Sequence, residues 1–435
     1  MLGAVFERFV EKSPISVMVR ASLERVLGAD RLDLWYERTA QKQYTRDLLF
    51  SSVYDLMNQV VFCVQPSVRA AYQAHQNDVG TSLVSVYNKL NGLETHTAAE
   101  LVRYSAREFA PLIKHMGGER APWLEGYRVK IVDGNCLEAS EHRIKELREA
   151  TGRALPGKSL VVYEPALGVV PDVFPCENGH AQERSLFGAV LDTVEAGDLW
   201  IEDRNFCTRA FLCEIDKRGA FCVTREHQGL PFEMLTPLRS YGRTPTGQVA
   251  QQRVCVVDAY GHKHLFRRLR LKLNEATRDG ATMIHILTNV PHQVAAPQVA
   301  ELYRKRWPLE TAFKHLEAYF HSEINTLGYP KAALFGFCLA LVVRENSNVE
   351  KLASHLYLSV HALPQEDHDD TDDASSGQVY TILMPASTVC VVPSAWRRHH
   401  HASVLDRHAQ AYRTAALHRM RPGVLRTGGH LDGPQ

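Results

Sequence analysis

The stretch DLWIEDRNF, residues 198–206, combines the pattern of a buried strand with two acids at its end. Its apolar core, LWI, is followed directly by Glu202 and Asp203 and then by turn-forming residues. A short apolar run bounded in this way predicts a strand. Asp203 then lies at the end of a sheet strand, where α/β proteins usually place their sites. Taken alone, Asp203 is better explained as the cap of a helix that starts near Phe206.

A second strand that ends in an acid comes earlier in the chain. The segment YRVKIVD, residues 127–133, is followed by Gly134, and on its own the Asp133–Gly134 pair is a turn signal. Further strands are predicted at 159–165, 167–175 and 219–227, and helices at 182–197 and near 206–217. This order of strands and helices indicates a mixed α/β sheet.

Before and after the predicted mixed sheet, the apolar residues follow different periodicities. Up to about residue 120 the chain is predicted to be helical, because segments 14–28 and 98–117 have apolar residues at helical spacing and end on glycine. The segment 78–94 is either the second half of a helix-turn-helix or an ordinary packed helix. From about 232 to 292 the pattern predicts further strands.

One of these later strands carries a row of cations. Arg268, Arg270 and Lys272 alternate with leucines and therefore share one strand face. Such a face is either a solvated outer surface or a surface that follows the phosphates of a nucleic acid.

Helical periodicity returns at Pro297 and leads into YRKRWPLETAFKHLE, residues 303–317. On a helical wheel at about 100° per residue, the apolar stripe consists of Leu302, Leu309, Phe313, Leu316 and Phe320. Beside it lie Tyr303, Arg306, Glu310 and Lys314. Pro308 either bends such a helix or begins a new one. In both cases Glu310 can point back at the sheet.

Three carboxylates that converge, Asp133, Asp203 and Glu310, would repel one another unless a cation lay among them. Oxygen-only ligands favour magnesium or manganese over zinc. Two such ions about 3.5–4 Å apart activate the attacking oxygen and stabilise the leaving oxygen in phosphodiester displacement.

The basic and aromatic neighbours of Glu310 suit the same chemistry. Arg306 and Lys314 would hold the substrate phosphates. Tyr303 and Trp307 would contact sugar or base.

The spacing of Tyr303, Arg306 and Glu310 resembles the signature of the DDE transposases of bacterial insertion sequences, specifically the insertion-sequence-four group. That signature continues with a lysine seven residues after the glutamate, where this chain has Glu317. Lys314 lies three positions earlier on the same face, and a lysine at that spacing also occurs in the family.

The two earlier acids also fit the resemblance. In the family they lie at the ends of two sheet strands, which Asp133 in IVDGN and Asp203 in IEDRNF resemble. The resemblance covers roughly residues 80 to 350.

The resemblance implies an α/β fold: an RNase H-like mixed sheet with a β-rich insertion, preceded by an all-helical N-terminal domain. The expected segments are a helical N-terminal domain that recognises DNA ends (1–124), a catalytic core in two parts (125–231 and 297–362), the β-rich insertion (232–296), an acidic linker (363–378) and a basic C-terminal tail (379–435).

The activity implied is that of a DNA transposase, with metal-dependent strand cleavage at transposon ends and transesterification into target DNA. Asp133, Asp203 and Glu310 are expected to be catalytic and to bind two Mg²⁺ or Mn²⁺ ions. The residues expected to contact DNA are Tyr303, Arg304, Arg306, Trp307, Lys314, Arg268, Arg270 and Lys272. The expected partner is double-stranded DNA, both at terminal inverted repeats and at the target, bound by a homodimer.

The composition is ordinary for a soluble globular protein. The resemblance implies a bacterial protein of the cytoplasm, associated with the nucleoid when it is bound to DNA. The first residues carry charges where a secretory signal needs an apolar core. The longest apolar run, 332–343, is too short to cross a membrane and predicts a buried helix. The nine cysteines include no C-x-x-C pair, so neither a zinc ribbon nor a disulfide framework is indicated.

The net charge of +1 hides a segregated distribution. Acids concentrate in 365–373 and arginines beyond residue 379. Segregation of this kind keeps a polyanionic partner such as DNA possible.

Three other interpretations remain open from the sequence. The protein could be a catalytically inactive or domesticated DNA-binding relic, which Glu317 and the small net charge favour. It could be an RNase H-like nuclease that hydrolyses DNA without joining strands. Finally, the three acids could be only helix caps and surface charge.

Overall fold

The computed structural model describes residues 14–42, 47–137, 157–277, 280–306, 313, 316, 320–324 and 327–344. All of them belong to the first of the two units into which the chain divides, Met1–Val391. The predicted acidic linker and basic tail, residues 363–378 and 379–435, lie outside the described residues.

The described chain begins with helices, as the apolar spacing predicts. They are α1 (Pro14–Leu27), α2 (Ala29–Thr39), α3 (Phe50–Val61), α4 (Val68–Ala74), α5 (Gln76–Val79), α6 (Leu83–Gly92) and α7 (Thr95–His115). Gly117, the glycine expected after the last of them, has a φ of +68°, a conformation that glycine adopts without steric cost.

Helix α6 corresponds to the segment with two open interpretations. Val86 and Leu90 are fully buried in the main hydrophobic core. The ammonium group of Lys89 lies 4.8 Å from the ring centroid of Tyr36, so that side chain also packs against the protein. These contacts favour an ordinary packed helix.

A single ten-stranded sheet follows the helices. Its strands are β1 (Arg128–Cys136), β2 (Lys158–Glu164), β3 (Val169–Cys176), β4 (Asp198–Glu202), β5 (Phe221–Arg225), β6 (Glu233–Met234), β7 (Arg239–Thr244), β8 (Gly247–Val257), β9 (Lys263–Leu273) and β10 (Met283–Thr288). The order across the sheet is β3-β2-β1-β4-β5-β10-β9-β8-β6, and β7 also pairs with β8.

The first five strands form the part of the sheet that positions the site. Strand β1 pairs antiparallel with β2, and β2 with β3. On its other side β1 is parallel to β4, and β4 to β5. This order and mixture of directions is that of an RNase H-like sheet, so the predicted fold class is confirmed.

Short helices lie between β3 and β4, between β4 and β5, and after β10. They are a 3-10 helix (Glu183–Leu186), α8 (Phe187–Leu191), a second 3-10 helix (Arg204–Phe206), α9 (Arg209–Lys217) and α10 (Ala296–Arg304). Residues 330–344 form a further helix, α11. Residues 332–343 of α11 are all buried, which confirms the core helix expected from their apolar run.

The sheet has a hydrophobic core on each face. One core joins Ile131, Ile201 and Val223 to the N-terminal helices, α10 and α11. The other joins Val132 and Trp200 to α8 and α9. Since consecutive strand residues point to opposite faces, Asp133 and Asp203 project on the face of the first core.

Two local expectations were wrong. The helix expected over 182–197 is only a 3-10 turn followed by the five residues of α8. The Asp133–Gly134 pair is not a turn, because β1 continues through Gly134, which pairs with Leu160. Strands β6 and β7 lie within 232–292, where strands were expected, at positions that were not predicted individually.

The strands expected as an insertion extend the core sheet directly. Strand β10 pairs with β5 on one side and with β9 on the other. The division into a core and an insertion stays a prediction. None of the described helices combines the length and the apolar character needed to cross a membrane.

Candidate active site

The site is built at the carboxyl ends of the parallel strands β1, β4 and β5. Val132 pairs with Glu202, and Glu202 pairs with Thr224. The next residues along these strands are therefore neighbours at one edge of the sheet: Asp133, Asp203 and Arg225.

Asp133 is held on both carboxylate oxygens. Oδ1 accepts a hydrogen bond from the backbone N–H of Gly134 at 3.0 Å. Oδ2 accepts one from Nη1 of Arg306 at 2.6 Å. The Asp133 and Arg306 side chains are only 17% and 10% exposed, so this ion pair is largely shielded from water.

Asp203 occupies the cap position of the 3-10 helix at 204–206, but its side chain makes no capping hydrogen bond there. Helix α9 is capped instead by Thr208, whose Oγ1 accepts from the N–H of Phe211 at 3.3 Å. The interpretation of Asp203 as a helix cap therefore has no support in the hydrogen bonding.

Helix α10 brings the aromatic and basic part of the signature to the same edge. Its last turn carries Tyr303, and the N–H of Arg306 donates to the Tyr303 carbonyl at 3.1 Å. Burial is the main reason why the pKa of Tyr303 is raised. The charges of Arg306 and Arg225 oppose that shift, and the charge of Asp203 adds to it, which places all three near the phenol.

Comparison with known proteins agrees with this arrangement. Residues 125–343, half of the 435 residues, match the family model described as "Transposase DDE domain". The chain belongs to the DDE transposase family. The matched DDE domain contains β1 to β10, α10 and nearly all of α11.

Individual relatives are more distant. The chain is 24% identical over 241 residues to the InsL protein of insertion sequence element IS186A from Escherichia coli strain K12. It is equally similar to the transposase for insertion sequence element IS421 from Escherichia coli. Each alignment covers 48% of this chain and 62% of the relative, so the chain spans less than two thirds of their length.

Several predicted residues of the DDE domain fall outside what the structure describes. Glu310, Trp307 and Lys314 lie there, and so does Glu317. Their roles stay predictions. Arg304 is described: it is half-exposed and its Nε donates to Glu301 at 2.8 Å.

The predicted row of cations on β9 is present. Along 268–272 partly exposed or exposed side chains alternate with buried ones, as expected for one shared face. Arg268 donates from Nε and Nη2 to the two carboxylate oxygens of Glu226, at 2.6 and 3.0 Å. Its charge is therefore neutralised within the protein, unlike a cation reserved for a phosphate.

The chemistry of the described ligands fits a divalent ion in part. Asp133 and Asp203 offer only carboxylate oxygens, which Mg²⁺ and Mn²⁺ prefer. Adjacent strands lie about 4.8 Å apart, so the two side chains can serve one site. Among the described residues, no three acidic, histidine or cysteine side chains are grouped to hold a metal. A further ligand is needed, and Glu310 is the predicted one.

Sequence reasoning missed Arg225 and Glu202 at this edge. Arg225 is the last residue of β5, the strand next to β4. The strand predicted at 219–227 extended two residues further, and the search for acids at strand ends passed over a basic residue. Glu202 is fully buried and accepts a hydrogen bond from Thr224 Oγ1 at 2.7 Å. Burial raises the pKa of Glu202 to about 8. No pattern in the sequence distinguished Glu202 from its partly buried neighbour Asp203.

Proposed function

We propose that this chain is a DNA transposase, which cleaves strands at transposon ends and joins them to target DNA by transesterification. One observation carries the proposal. Two aspartates from neighbouring strands meet a tyrosine from α10 and an arginine just after that helix at one sheet edge, in a chain that belongs to the DDE transposase family.

Asp133, Asp203 and Glu310 would hold the divalent ions, Mg²⁺ or Mn²⁺, in a pair. When bound, such a pair supplies the charge that activates the attacking oxygen and stabilises the leaving oxygen of a phosphodiester. The protein orients the carboxylates and shields the site, since Asp133 is mostly buried.

The remaining side chains at the edge suit a DNA phosphate. Arg306 would exchange its partner Asp133 for a phosphate oxygen once the carboxylate binds metal, because both acceptors match a guanidinium. Tyr303 is protonated at neutral pH, as any tyrosine is, and the upward shift of its pKa reinforces this, so its hydroxyl can donate a hydrogen bond. Arg225 adds positive charge next to Asp203.

Further DNA contacts are proposed away from this edge. They are Arg304 at the end of α10, Trp307 and Lys314 further along the chain, and Arg270 and Lys272 on β9. Arg268 requires release from Glu226 before it can contribute.

The finer biological role is also part of the proposal. We infer that the helical region 1–124 recognises terminal inverted repeats, that the protein acts as a homodimer on double-stranded DNA, and that it belongs to the insertion-sequence-four group. The Tyr303, Arg306 and Glu310 spacing supports the last point.

The test is strand cleavage of a DNA duplex taken from the sequence that flanks the gene. With Mg²⁺ present, the wild type is expected to nick this duplex and, given precleaved ends, to join them to a plasmid. Asp133→Asn, Asp203→Asn and Glu310→Gln should each reduce nicking by at least about a hundredfold. Glu317→Gln is the matched control, seven residues further along the chain, and should keep the wild-type rate or exceed it.

Each outcome has a distinct meaning. Nicking without joining would make the protein a nuclease. Specific DNA binding without metal-dependent nicking by the wild type would identify an inactive relic. Equal loss in Glu317→Gln and Glu310→Gln would contradict the assignment of Glu310.

A further inference from the structure

The loop that carries Asp203 is held from the opposite side of the sheet. Asn205, two residues after Asp203, donates from Nδ2 to Oε2 of Glu183 at 3.1 Å. The carbonyl of Asn205 accepts a hydrogen bond from Nε of Arg184 at 3.4 Å. Two consecutive residues of the 3-10 helix at 183–186 therefore fix both the side chain and the main chain of this loop.

The same carboxylate also lies against the strand that carries Asp133. A Cβ atom placed on Gly134 would overlap Oε1 of Glu183 and lie 2.9 Å from its Cδ. Real Cβ atoms do not tolerate such a distance, so any other residue at 134 must displace Glu183. Glu183 thus contacts the residue after Asp133 and the residue two after Asp203 with one side chain.

The helix that presents Glu183 is itself anchored in the second core. Phe187, directly after it, stacks on Phe206 with ring centroids 4.6 Å apart and planes 17° apart. Phe211 of α9 contacts both rings, at 4.9 and 5.5 Å. All three rings are buried. Close-packed aromatic side chains restrict movement of Glu183 relative to the Asp203 loop.

Glu183 does not point at the candidate metal ligands. Gly134 and Asp133 are consecutive strand residues and face opposite sides of the sheet. Glu183 lies on the Gly134 side, and among the described residues no third acid joins Asp133 and Asp203 in a metal-holding group. A role as ligand is therefore not supported, whereas a role in placing the two strand ends is.

We infer that Glu183 is a positioning residue, which sets the separation of Asp133 and Asp203 by bridging Gly134 and Asn205 from the far face of the sheet. The effect of Glu183 on catalysis rests on the proposed function. The bridge itself requires only a hydrogen-bond acceptor of glutamate shape, so a glutamine can replace it.

Four variants test this: Glu183→Ala removes the bridge, Gly134→Ala displaces it, Asn205→Ala removes its partner at an exposed site, and Glu183→Gln preserves the acceptor. Two quantities are measured for each folded variant: Mn²⁺ affinity by calorimetry on the DNA-free protein, and the rate of Mg²⁺-dependent nicking of the flanking duplex. We expect the three disruptive variants to lose about tenfold in both, which corresponds to roughly 1.4 kcal/mol. Glu183→Gln should stay within about twofold of the wild type.

Two results would overturn the inference. One is wild-type Mn²⁺ affinity in Glu183→Ala and Asn205→Ala. The other is an equal loss in Glu183→Gln and Glu183→Ala, which would mean that the negative charge itself acts on the metal. A wild type that fails to nick DNA contradicts the proposed function instead, and the Mn²⁺ affinities still decide the role of Glu183.

Discussion

Arg306 holds the carboxylate that the proposed metal ion needs. Its guanidinium lies 2.6 Å from Asp133 Oδ2, so the carboxylate already has a positively charged partner before any ion binds. Removing that competitor should favour the ion. We predict that Arg306→Ala binds Mn²⁺ about tenfold more tightly than the wild type in the absence of DNA, equivalent to roughly 1.4 kcal/mol.

Calorimetry with Mn²⁺ measures this directly. Arg304→Ala is the control, because it removes the same positive charge only two residues from Arg306. The Arg304 side chain is half-exposed and is paired with Glu301 instead of Asp133. If Mn²⁺ affinity rises equally in both variants, the gain comes from the loss of positive charge in general, and Arg306 does not compete with the ion for Asp133.

Glu202 makes the second prediction at the scale of one residue. Its pKa of about 8 lies well above the ordinary value for a glutamate. At a pH between these two pKa values, Glu202 keeps its proton in the folded protein but has released it in the unfolded chain. The free energy of unfolding is therefore highest at low pH and falls as pH rises towards 8. From pH 5 to pH 8 the wild type should lose on the order of 3 kcal/mol.

The matched variant is Glu202→Gln, whose carboxamide oxygen still accepts from Thr224 and does not ionise. Urea unfolding in metal-free buffer at pH 5 and pH 8 should show a smaller pH-dependent loss in Glu202→Gln than in the wild type. Glu233→Gln, at an exposed position of β6, should keep the wild-type pH dependence. Identical slopes for wild type and Glu202→Gln would show that Glu202 is ionised in the folded protein.

At the scale of elements, one arginine ties the N-terminal helices to the sheet. Arg103 of α7 donates from Nε to Asp172 at 2.5 Å and from Nη2 to the carbonyl of Val173 at 3.2 Å, both on β3. We predict that Arg103→Met lowers the free energy of unfolding by roughly 2–3 kcal/mol, because Asp172 is left buried without its charged donor. Arg107→Met, on an exposed part of the same helix, should change it by less than about 0.5 kcal/mol. Urea unfolding of both variants checks the difference.

The elements themselves were largely predictable where side chains alternate or repeat regularly. Strands β1 and β4, helices α1 and α7 and the buried run in α11 all follow from apolar spacing. The helix expected at 182–197 was shortened by side chains that bond locally. Ser185 Oγ donates to the Gln182 carbonyl and Thr193 Oγ1 to the Val190 carbonyl, which competes with helical bonding.

Elements defined by pairing were not predictable in this way. Strand β7 is exposed along most of its length and has no alternation, so only its bonding to β8 makes it a strand. The same holds at the site. The motif spacing predicted that Tyr303 and Arg306 belong to the same site as the aspartates. It did not predict the hydrogen bond from Arg306 to Asp133, because that bond spans 173 residues of sequence and depends on how α10 packs against the sheet.

At the scale of the whole described molecule, Asp216 connects the core to the β8–β9 hairpin. Its Oδ1 accepts from Asn289 Nδ2 at 2.9 Å, and its Oδ2 lies 2.7 Å from Nδ1 of His264 on β9. Since β10 also joins the hairpin to β5, we expect core and hairpin to unfold together.

Hydrogen exchange measures this coupling. In the wild type the central amides of β9 should exchange with the same free energy as those of β4. Asp216→Ala should accelerate exchange in β9 about tenfold while β4 changes little, and Glu214→Ala, an exposed neighbour on α9, should affect neither. Fast exchange of β9 in the wild type would mean that the hairpin opens independently.

The position of α11 in the chain has a consequence for synthesis. Phe335 of α11 contacts Phe50 of α3 with ring centroids 6.0 Å apart, and both are fully buried. A ribosome makes Phe50 long before Phe335, so a nascent chain that already contains the whole sheet still lacks the side chains that cover one of its cores. Stalled chains released before about residue 340 should therefore bind chaperones that recognise exposed apolar surface, whereas chains extended past α11 can close that core.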